Sequence, residues 1–587
     1  MKKVVKKGKL NIMSSPKRDY QNWSHEKLLH EYKEILKRKK FGIVWEDKIE
    51  DVAEQCKTSL PVLKDEKAKS SLKDKNGIDH IFIEGDNYHA LSVLNYTHRH
   101  KIDVIYIDPP YNTGARDWKY NNDYVDKNDM YRHSKWLSFM NKRLRLAKRL
   151  LSHKGVLVCT VDENEFAKLG LLLEEIFSSY QITCIAIVHN PAGIQGDNFS
   201  YCHEYAYFVY PRGGRYIARQ VREEADKDIR NFRDVTGDES LRDAAANCFY
   251  PVYIKDGEVV GFGPVADKNF HPPINIIKGD GLTEIYPVDP QGVERKWRFA
   301  RQTVESIKNE LQVKYIKNRK VYDIIRFKNV FNYKTVWTDS KYSANNHGTQ
   351  LLNQIIERNS FSFPKSLYAV IDCIKAASNE NKDAIILDFF AGSGTTGHAV
   401  LKLNKEDNGN RQFILCTNNE DNNGSGTKIA RDICYPRIKK VMLGYTNKNG
   451  EKIDGLGGNL KYFKTEFVNS VKTDNDKRVL TARCGEMLCL AEGTFNEVIN
   501  KKGMFSIYEN QKQMTGIIYD EDAIADFKKE IGKYKKPFIV YVFSYDHTYN
   551  EEDFADLENL KTVKPIPEVI LNVYRKIYKD LYRPRNL

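Results

Sequence analysis

Four consecutive residues, Asp108-Pro109-Pro110-Tyr111, follow the short apolar run Val104-Ile105-Tyr106-Ile107. Two successive prolines fix the backbone and remove its N–H donors, leaving carbonyl acceptors directed outward. Asp108 adds another acceptor and Tyr111 a flat face for stacking. This set suits a planar ring bearing an exocyclic amine. The two amine hydrogens go to the carboxylate and to a proline carbonyl, and the nitrogen lone pair turns towards an electrophile. The alternative is a rigid turn from strand to loop. A second group, Asp388-Phe389-Phe390-Ala391-Gly392-Ser393-Gly394-Thr395-Thr396-Gly397, follows the apolar run 384–387 and opens a helix at His398. Glycines let a nucleotide-like ligand approach the backbone closely. No lysine follows Gly394, so this is not a phosphate-binding P-loop; by itself it could simply cap a strand-to-helix turn. The next apolar run, 412–416, leads to Asn418-Asn419-Glu420. An acidic residue at that distance past a glycine loop is placed to bind a ribose diol.

The elements that must position these residues read as α/β. Apolar runs at 81–83, 104–107, 156–161, 182–188, 384–387 and 412–416 predict strands, the first ending at Glu84-Gly85-Asp86. Helical spacing lies between them at 88–96 and 165–177. A long amphipathic helix is predicted over 134–151, with Trp136, Leu137, Met140, Leu144, Ala147 and Leu151 inward, Arg143, Lys148 and Arg149 elsewhere, and Gly155 as its stop. Helices alternating with apolar strands imply a mostly parallel sheet. Residues 211–340 break the rhythm with short segments rich in aromatic and basic residues. Residues 1–21 are basic and aperiodic, 23–40 has helical spacing with a lysine-rich outer face, 64–76 reads as a polar linker, and 470–587 as a separate small α/β unit.

The 587 residues are enough for three or four structural units, and 41% apolar with 29% charged residues excludes collagen-like, mucin-like and wholly disordered chains. No run approaches a membrane-spanning length, and the basic N-terminus lacks the apolar stretch of a signal peptide. Ten cysteines (56, 159, 184, 202, 248, 373, 416, 434, 484, 489) form no C-x-x-C pair, so no metal site is expected and a reducing cytosol is. Lysines and arginines (93) exceed acids (79) by 14, which favours a polyanionic partner through counterion release, a solvated basic surface being the alternative.

Taken together, these motifs resemble those of the S-adenosylmethionine-dependent amino-methyltransferases of DNA, the Asp-Pro-Pro-Tyr class. The tetrapeptide precedes the glycine loop by roughly 280 residues, as in the circularly permuted beta group. Ile43-Val44-Trp45-Glu46-Asp47-Lys48, 81–91, 108–114, 136–177 and Gly455 to Phe463 further resemble the modification subunit of Type III restriction–modification systems, over about 25–470. The loop at 190–200 is only partly like that family's glycine-rich stretch. The resemblance implies a circularly permuted Rossmann-like methyltransferase sheet with an inserted target-recognition domain and a small C-terminal α/β domain. The units would be a basic helical segment 1–76, a catalytic half 77–210, a target-recognition domain 211–340, a cofactor-binding half 341–469 and a C-terminal domain 470–587. By the same resemblance Asp388, Ala391, Gly392, Ser393, Gly394 and Thr395 lie around the methionine part of S-adenosylmethionine, and Glu420 binds its ribose. Asp86 lies near its adenine, and Lys365 and Ser366, in Phe363-Pro364-Lys365-Ser366, clasp its carboxylate. His203-Glu204-Tyr205-Ala206-Tyr207 resembles the edge of the target-base pocket, although Tyr207 reads equally as core. The implied reaction is methylation of adenine N6 in double-stranded DNA on a flipped base, in the bacterial cytoplasm. A homodimer and a nuclease/helicase restriction subunit are the implied partners, with no membrane.

Four other readings compete, one of them methylation of protein or RNA, against which a basic and aromatic region of roughly 130 residues suits duplex DNA better. Asp289 and Glu294-x-Lys296 loosely resemble a nuclease metal site, which would make the chain a bifunctional restriction enzyme. A stand-alone epigenetic methyltransferase and a non-catalytic DNA-binding subunit are the others.

Overall fold

The computed structural model describes residues 24–29, 43, 45–71, 74, 77–121, 123–195, 198–221, 228–357, 361–420, 426–546 and 548–581. Apart from a helical turn at 25–29, the helix expected over 23–40 lies outside them, as does the basic stretch 1–21. The chain divides into two compact units, one of Met1–Ile217 with Thr335–Leu587 and one of Ala218–Lys334.

The larger unit is built on ten strands: β1 (Ser59–Asp65), β2 (Asp79–Glu84), β3 (Ile102–Ile107), β4 (Leu151–Val161), β5 (Tyr180–Val188), β6 (His203–Pro211), β7 (Val336–Trp337), β8 (Ile385–Asp388), β9 (Gln412–Thr417) and β10 (Asn459–Asn469). Their spatial order is β1-β10-β2-β9-β8-β3-β4-β6-β5-β7. From β10 to β4 every neighbour is parallel, whereas β1 and β6 run antiparallel to theirs. The central strands are near-continuous Val, Ile, Leu and Phe because helices cover both faces. The half of the sheet carrying β8 and β9 follows β3 and β4 in the chain, which is the permuted order of a Rossmann-like methyltransferase sheet.

Three boundaries and the burial of one side chain differ from the sequence expectation. Residues 59–65, placed in an N-terminal helical segment, form edge strand β1, because Leu60, Val62 and Leu63 are buried against β10. Part of the expected linker 64–76 is also structured, since Ser71 bridges to Leu460. Gly155 does not end a helix: α2 (Arg132–Lys148) stops earlier and Gly155 lies inside β4, with Leu151 at its start. Arg143 is buried rather than turned outward, because Glu50 pairs with it at 2.6 Å and the Phe139 ring lies 3.6 Å from its guanidinium.

Residues 470–587 carry their own five-stranded sheet, from Asn496–Lys501 to Leu560–Ile566, with its own core of Phe505, Ile507, Met514, Phe527, Phe538 and Val540, and other side chains of the segment join the core of the main sheet. Leu480, Met487, Leu488, Ile570 and Tyr574 belong to one apolar cluster with Leu60, Leu91 and Leu94, and the Tyr574 hydroxyl donates to the Pro61 carbonyl at 2.5 Å. The smaller unit spans 218–334 and not 211–340. Residues up to 211 complete β6, and Val336–Trp337 pairs with β5 at the sheet edge. Its core holds Phe232, Tyr250, Val252, Trp297, Val304 and Ile324. Among the described residues no helix is long and apolar enough to cross a membrane.

Candidate active site

The parallel strands β2, β9, β8 and β3 lie side by side, and each runs into one of the singled-out residues at its carboxyl end. Asp86 follows β2, Glu420 follows β9, Asp388 closes β8 and Asp108 follows β3. Register places Ile386 beside Val104 and Leu387 beside Ile105, so the tetrapeptide and the glycine loop, far apart in sequence, leave adjacent strands. The carboxyl edge of a parallel sheet is where α/β proteins bind ligands.

Around the tetrapeptide the side chains are tightly engaged. Thr160, on β4, donates its hydroxyl to Asp108 Oδ1 at 2.6 Å, and Lys365 Nζ lies 3.2 Å from the same oxygen. Lys365 also donates to Glu204 and to the Tyr111 hydroxyl, and its ammonium sits 4.4 Å from the centre of the Tyr111 ring. The Tyr111 hydroxyl in turn donates to Glu204 at 3.0 Å. Burial would lower the Lys365 pKa, but the Asp108 and Glu204 carboxylates override it and raise it. Burial would raise that of Glu204, and Lys365 instead holds it low. Burial pushes the Tyr111 phenol well up, so it stays neutral. Buried Trp136, on α2, donates to the Pro110 carbonyl at 2.6 Å, which fixes the second proline. Asn112 follows with φ +57; it accepts from Trp118 at 3.1 Å and donates to buried Glu165.

On the other side, buried Asp388 accepts from the Phe390 N–H at 2.9 Å and from the Thr396 hydroxyl at 2.6 Å. Burial raises its pKa to about 7 despite these bonds. The turn Ala391-Gly392-Ser393-Gly394 needs its glycines: φ is +48 at Gly392 and +81 at Gly394, and a Cβ would stand 3.1 Å from the Phe361 ring and 3.0 Å from Cys434 Sγ respectively. The helix Thr395–Asp407 then begins a turn earlier than His398. Asp86 caps the helix Asn87–Thr97, accepting from the Tyr88 N–H at 2.7 Å, and lies 3.6 Å from Arg143. Burial raises the Glu420 pKa, and its neighbour Asn418 donates to it at 3.4 Å.

Three of the expected cofactor residues have side-chain partners within the protein. The hydroxyls of Ser393 and Thr395 accept from buried Arg437, at 3.0 and 2.8 Å, and Ser366 donates to the Lys341 carbonyl at 2.8 Å. Lys365 reaches the tetrapeptide. Tyr207 is core, its hydroxyl bonded to the Phe166 carbonyl at 3.0 Å. Asp289 and Glu294 do not form a metal site: Arg295 holds the first at 2.9 Å, and Arg242 (2.9 Å) and His271 (3.0 Å) hold the second. Among the described residues no group of three His, Cys, Asp or Glu could hold a metal ion. Sequence reasoning missed Thr160, Arg437 and the pairing of Glu204 with Lys365. A threonine on a buried strand and an arginine on a helix carry no signal of that kind.

A family profile described as DNA methylase matches residues 102–423, from the start of β3 past Glu420. The chain belongs to this DNA methylase family. The Type II methyltransferase M.KpnI of Klebsiella pneumoniae is 30% identical over 404 residues, 65% of this chain and 90% of that one. The Type III restriction-modification enzyme EcoPI Mod subunit of Escherichia phage P1 is 30% identical, over 65% of this chain and 63% of its own length. The StyLTI Mod subunit of Salmonella typhimurium is 27% identical, over 75% and 70%. The crystal structure of the M1.HpyAVI–SAM complex overlaps with a TM-score of 0.27 at 13% identity, across 62% of this chain and 98% of that one. The resemblance to Type III modification subunits is thus matched by curated relatives, and the protein is an S-adenosylmethionine-dependent DNA methyltransferase. The carboxylates Asp86, Asp388 and Glu420, with a turn whose positive φ values favour glycine, form an acceptor set suited to a cationic nucleoside such as S-adenosylmethionine.

Proposed function

We propose that this methyltransferase modifies the N6 amine of adenine in duplex DNA, as the modification subunit of a Type III restriction–modification system. The observation carrying this reading is the convergence of Asp108, Pro109, Tyr111, Thr160, Glu204 and Lys365 beside the acidic strand ends. S-adenosylmethionine, when bound, supplies an electrophilic methyl group, so no metal is needed to activate it. Asp86, Asp388, the backbone of Ala391, Gly392 and Gly394, and Glu420 would hold it. Ser393, Thr395 and Ser366 support that crevice, and Lys365 lies at its boundary with the tetrapeptide.

The base must leave the duplex, at a cost of a few kcal/mol. Tyr111 stacks on it, with its ring held by the hydroxyl bond to Glu204. Asp108 and the Pro109 carbonyl accept the two amine hydrogens. Trp136 already occupies the Pro110 carbonyl, which leaves that of Pro109 for the substrate. Thr160 holds the Asp108 carboxylate in place. Orientation supplies much of the rate, since two reactants are aligned in one crevice. Asp108 need not be a strong base, because the proton can leave after the nitrogen has become cationic. An aspartate at the first motif position favours adenine over cytosine. The unit 218–334 reads the target sequence, the chain works as a homodimer with a separate restriction subunit, and it acts in the bacterial cytoplasm.

Asp108→Ala tests this assignment. It should lower methyl transfer about 30- to 1000-fold, the equivalent of roughly 2–4 kcal/mol. Affinities for S-adenosylmethionine and duplex should change little. Near-normal transfer to DNA adenine would defeat the catalytic assignment, and loss of all three properties would mean that the tetrapeptide is a structural turn.

A further inference from the structure

In the 218–334 unit the strands Leu311–Ile316 and Val321–Lys328 form a hairpin, paired from Leu311 opposite Arg326 to Ile316 opposite Val321. Its root is fixed. Leu311 and Ile324 lie in the core with Phe232, Tyr250 and Trp297. Buried Asp323 pairs with Arg233 at 2.7 Å. The Asn275 amide holds both the N–H and the carbonyl of Tyr322, at 2.7 and 2.9 Å. Beyond this clamp the ribbon ends in four residues, Lys317-Asn318-Arg319-Lys320, all exposed. The Arg319 N–H closes the turn onto the Ile316 carbonyl at 3.2 Å, and Lys320 sits at φ +53, a backbone that glycine or asparagine adopts at lower cost.

The charges at this tip differ from others in the unit. Arg242, Arg295 and Arg326 each face a carboxylate, on Glu294, Asp289 and Glu310. Among the described residues Lys317, Arg319 and Lys320 have no carboxylate within ion-pair reach. The two-stranded end of this three-stranded sheet, with three cations that face no carboxylate and an amide at its tip, matches one macromolecular surface well. The major groove of B-DNA is about 12 Å wide, admits such a ribbon, and offers guanine edges to arginine and adenine edges to asparagine.

We propose that this hairpin tip is the base-reading element of the methyltransferase, with Asn318 and Arg319 reading base edges in the major groove and Lys317 and Lys320 holding phosphates. The inference rests on the assignment of the 218–334 unit to target recognition in DNA. It is tested on the full-length protein, expressed in cells without other adenine methylation, by modified-base sequencing and by duplex binding across a salt series. Asn318→Ala and Arg319→Ala should each relax the methylated motif at one position, with about a 5- to 100-fold loss of discrimination there. The double variant Lys317→Ala/Lys320→Ala should keep the motif, bind all duplexes more weakly, and flatten the log–log salt slope by about 2. Thermal midpoints should not move, because the tip is exposed. An unchanged motif in both Asn318→Ala and Arg319→Ala overturns the proposal, and so does a uniform loss of affinity without relaxation, which would make the tip a phosphate anchor only. Tighter binding of duplex RNA than of DNA overturns it as well. A wild-type protein that leaves DNA unmethylated would instead fail the underlying function, before any substitution is compared.

Discussion

At the scale of residues the site turns on one buried cation shared by two carboxylates. Lys365 spans Asp108 and Glu204, and each acid lowers the cost of burying the ammonium. Glu204→Gln keeps an acceptor for the Tyr111 hydroxyl but removes one charge. Lys365 would then turn to Asp108 alone and compete with the target amine for it. Methyl transfer should fall about tenfold or more with duplex affinity kept, since one charge-assisted bond is worth roughly 1.5–3 kcal/mol; single-turnover assays beside binding isotherms check this. Asp388 supplies a pH prediction. Its folded pKa of about 7 exceeds the ordinary 3.8, so the folded state holds its proton more tightly than the unfolded chain does. Its contribution to stability is full below about pH 3.8 and is lost as pH rises to about 7. Asp388→Asn should therefore lose less stability than the parent between pH 4 and 7, as thermal unfolding at stepped pH would reveal. If the two curves run parallel, burial of Asp388 does not govern the effect.

Elements decide whether those residues meet. Trp136 lies on α2, fully buried, and its indole N–H is the pin that joins the helix to Pro110. Trp136→Phe preserves most of the packing and leaves a buried carbonyl without its donor. It should cost about 1–3 kcal/mol in denaturant unfolding and lower transfer, because the tetrapeptide loosens. A variant as stable and as active as the parent would mean that the prolines alone set the loop. Much at this scale was legible in the sequence. Val104 to Ile107, 384–387 and 412–416 are apolar runs bounded by turn chemistry, and they became β3, β8 and β9. What escaped was direction and long-range pairing. Arg143 falls off the apolar stripe of α2 by periodicity, yet Glu50 draws it inward. Glu204 and Lys365 lie 161 positions apart, and nothing in either local pattern announces the other. Ser393 and Thr395 sit in a ligand-type loop, but whether a hydroxyl faces the crevice or Arg437 depends on a helix 42 residues further on. Residues 470–587 have the spacing of an α/β unit and do form a core around Phe505 and Phe527, and only packing reveals that a second set of their apolar side chains joins the core of the main sheet.

For the whole molecule the boundary of the inserted unit is the decisive quantity. Composition shifts near 211 and 340, whereas the compact unit begins at Ala218 and ends at Lys334. The difference lies in two strands. Residues up to Pro211 pair with Tyr180 at the end of β5, and Val336 and Trp337 pair with Ala186 and Ile187 at its other side. Trp337 is buried, with its ring 5.5 Å from that of Tyr342. A chimera that replaces 218–334 by the corresponding unit of a relative keeps this edge intact. It should fold, bind S-adenosylmethionine as the parent does, and methylate the relative's motif. A chimera cut at 211 and 340 also exchanges β7 for the donor's strand, and with it the fitted packing of Trp337 against Tyr342. It should be less stable than the narrower chimera, by up to the burial of one tryptophan side chain, on the order of 3–5 kcal/mol. Comparing the thermal midpoints, cofactor affinities and methylated motifs of the two chimeras separates the effects. If the narrower swap leaves the motif unchanged, recognition lies outside 218–334. If both chimeras are equally stable, the fit of Trp337 against Tyr342 adds nothing to the fold.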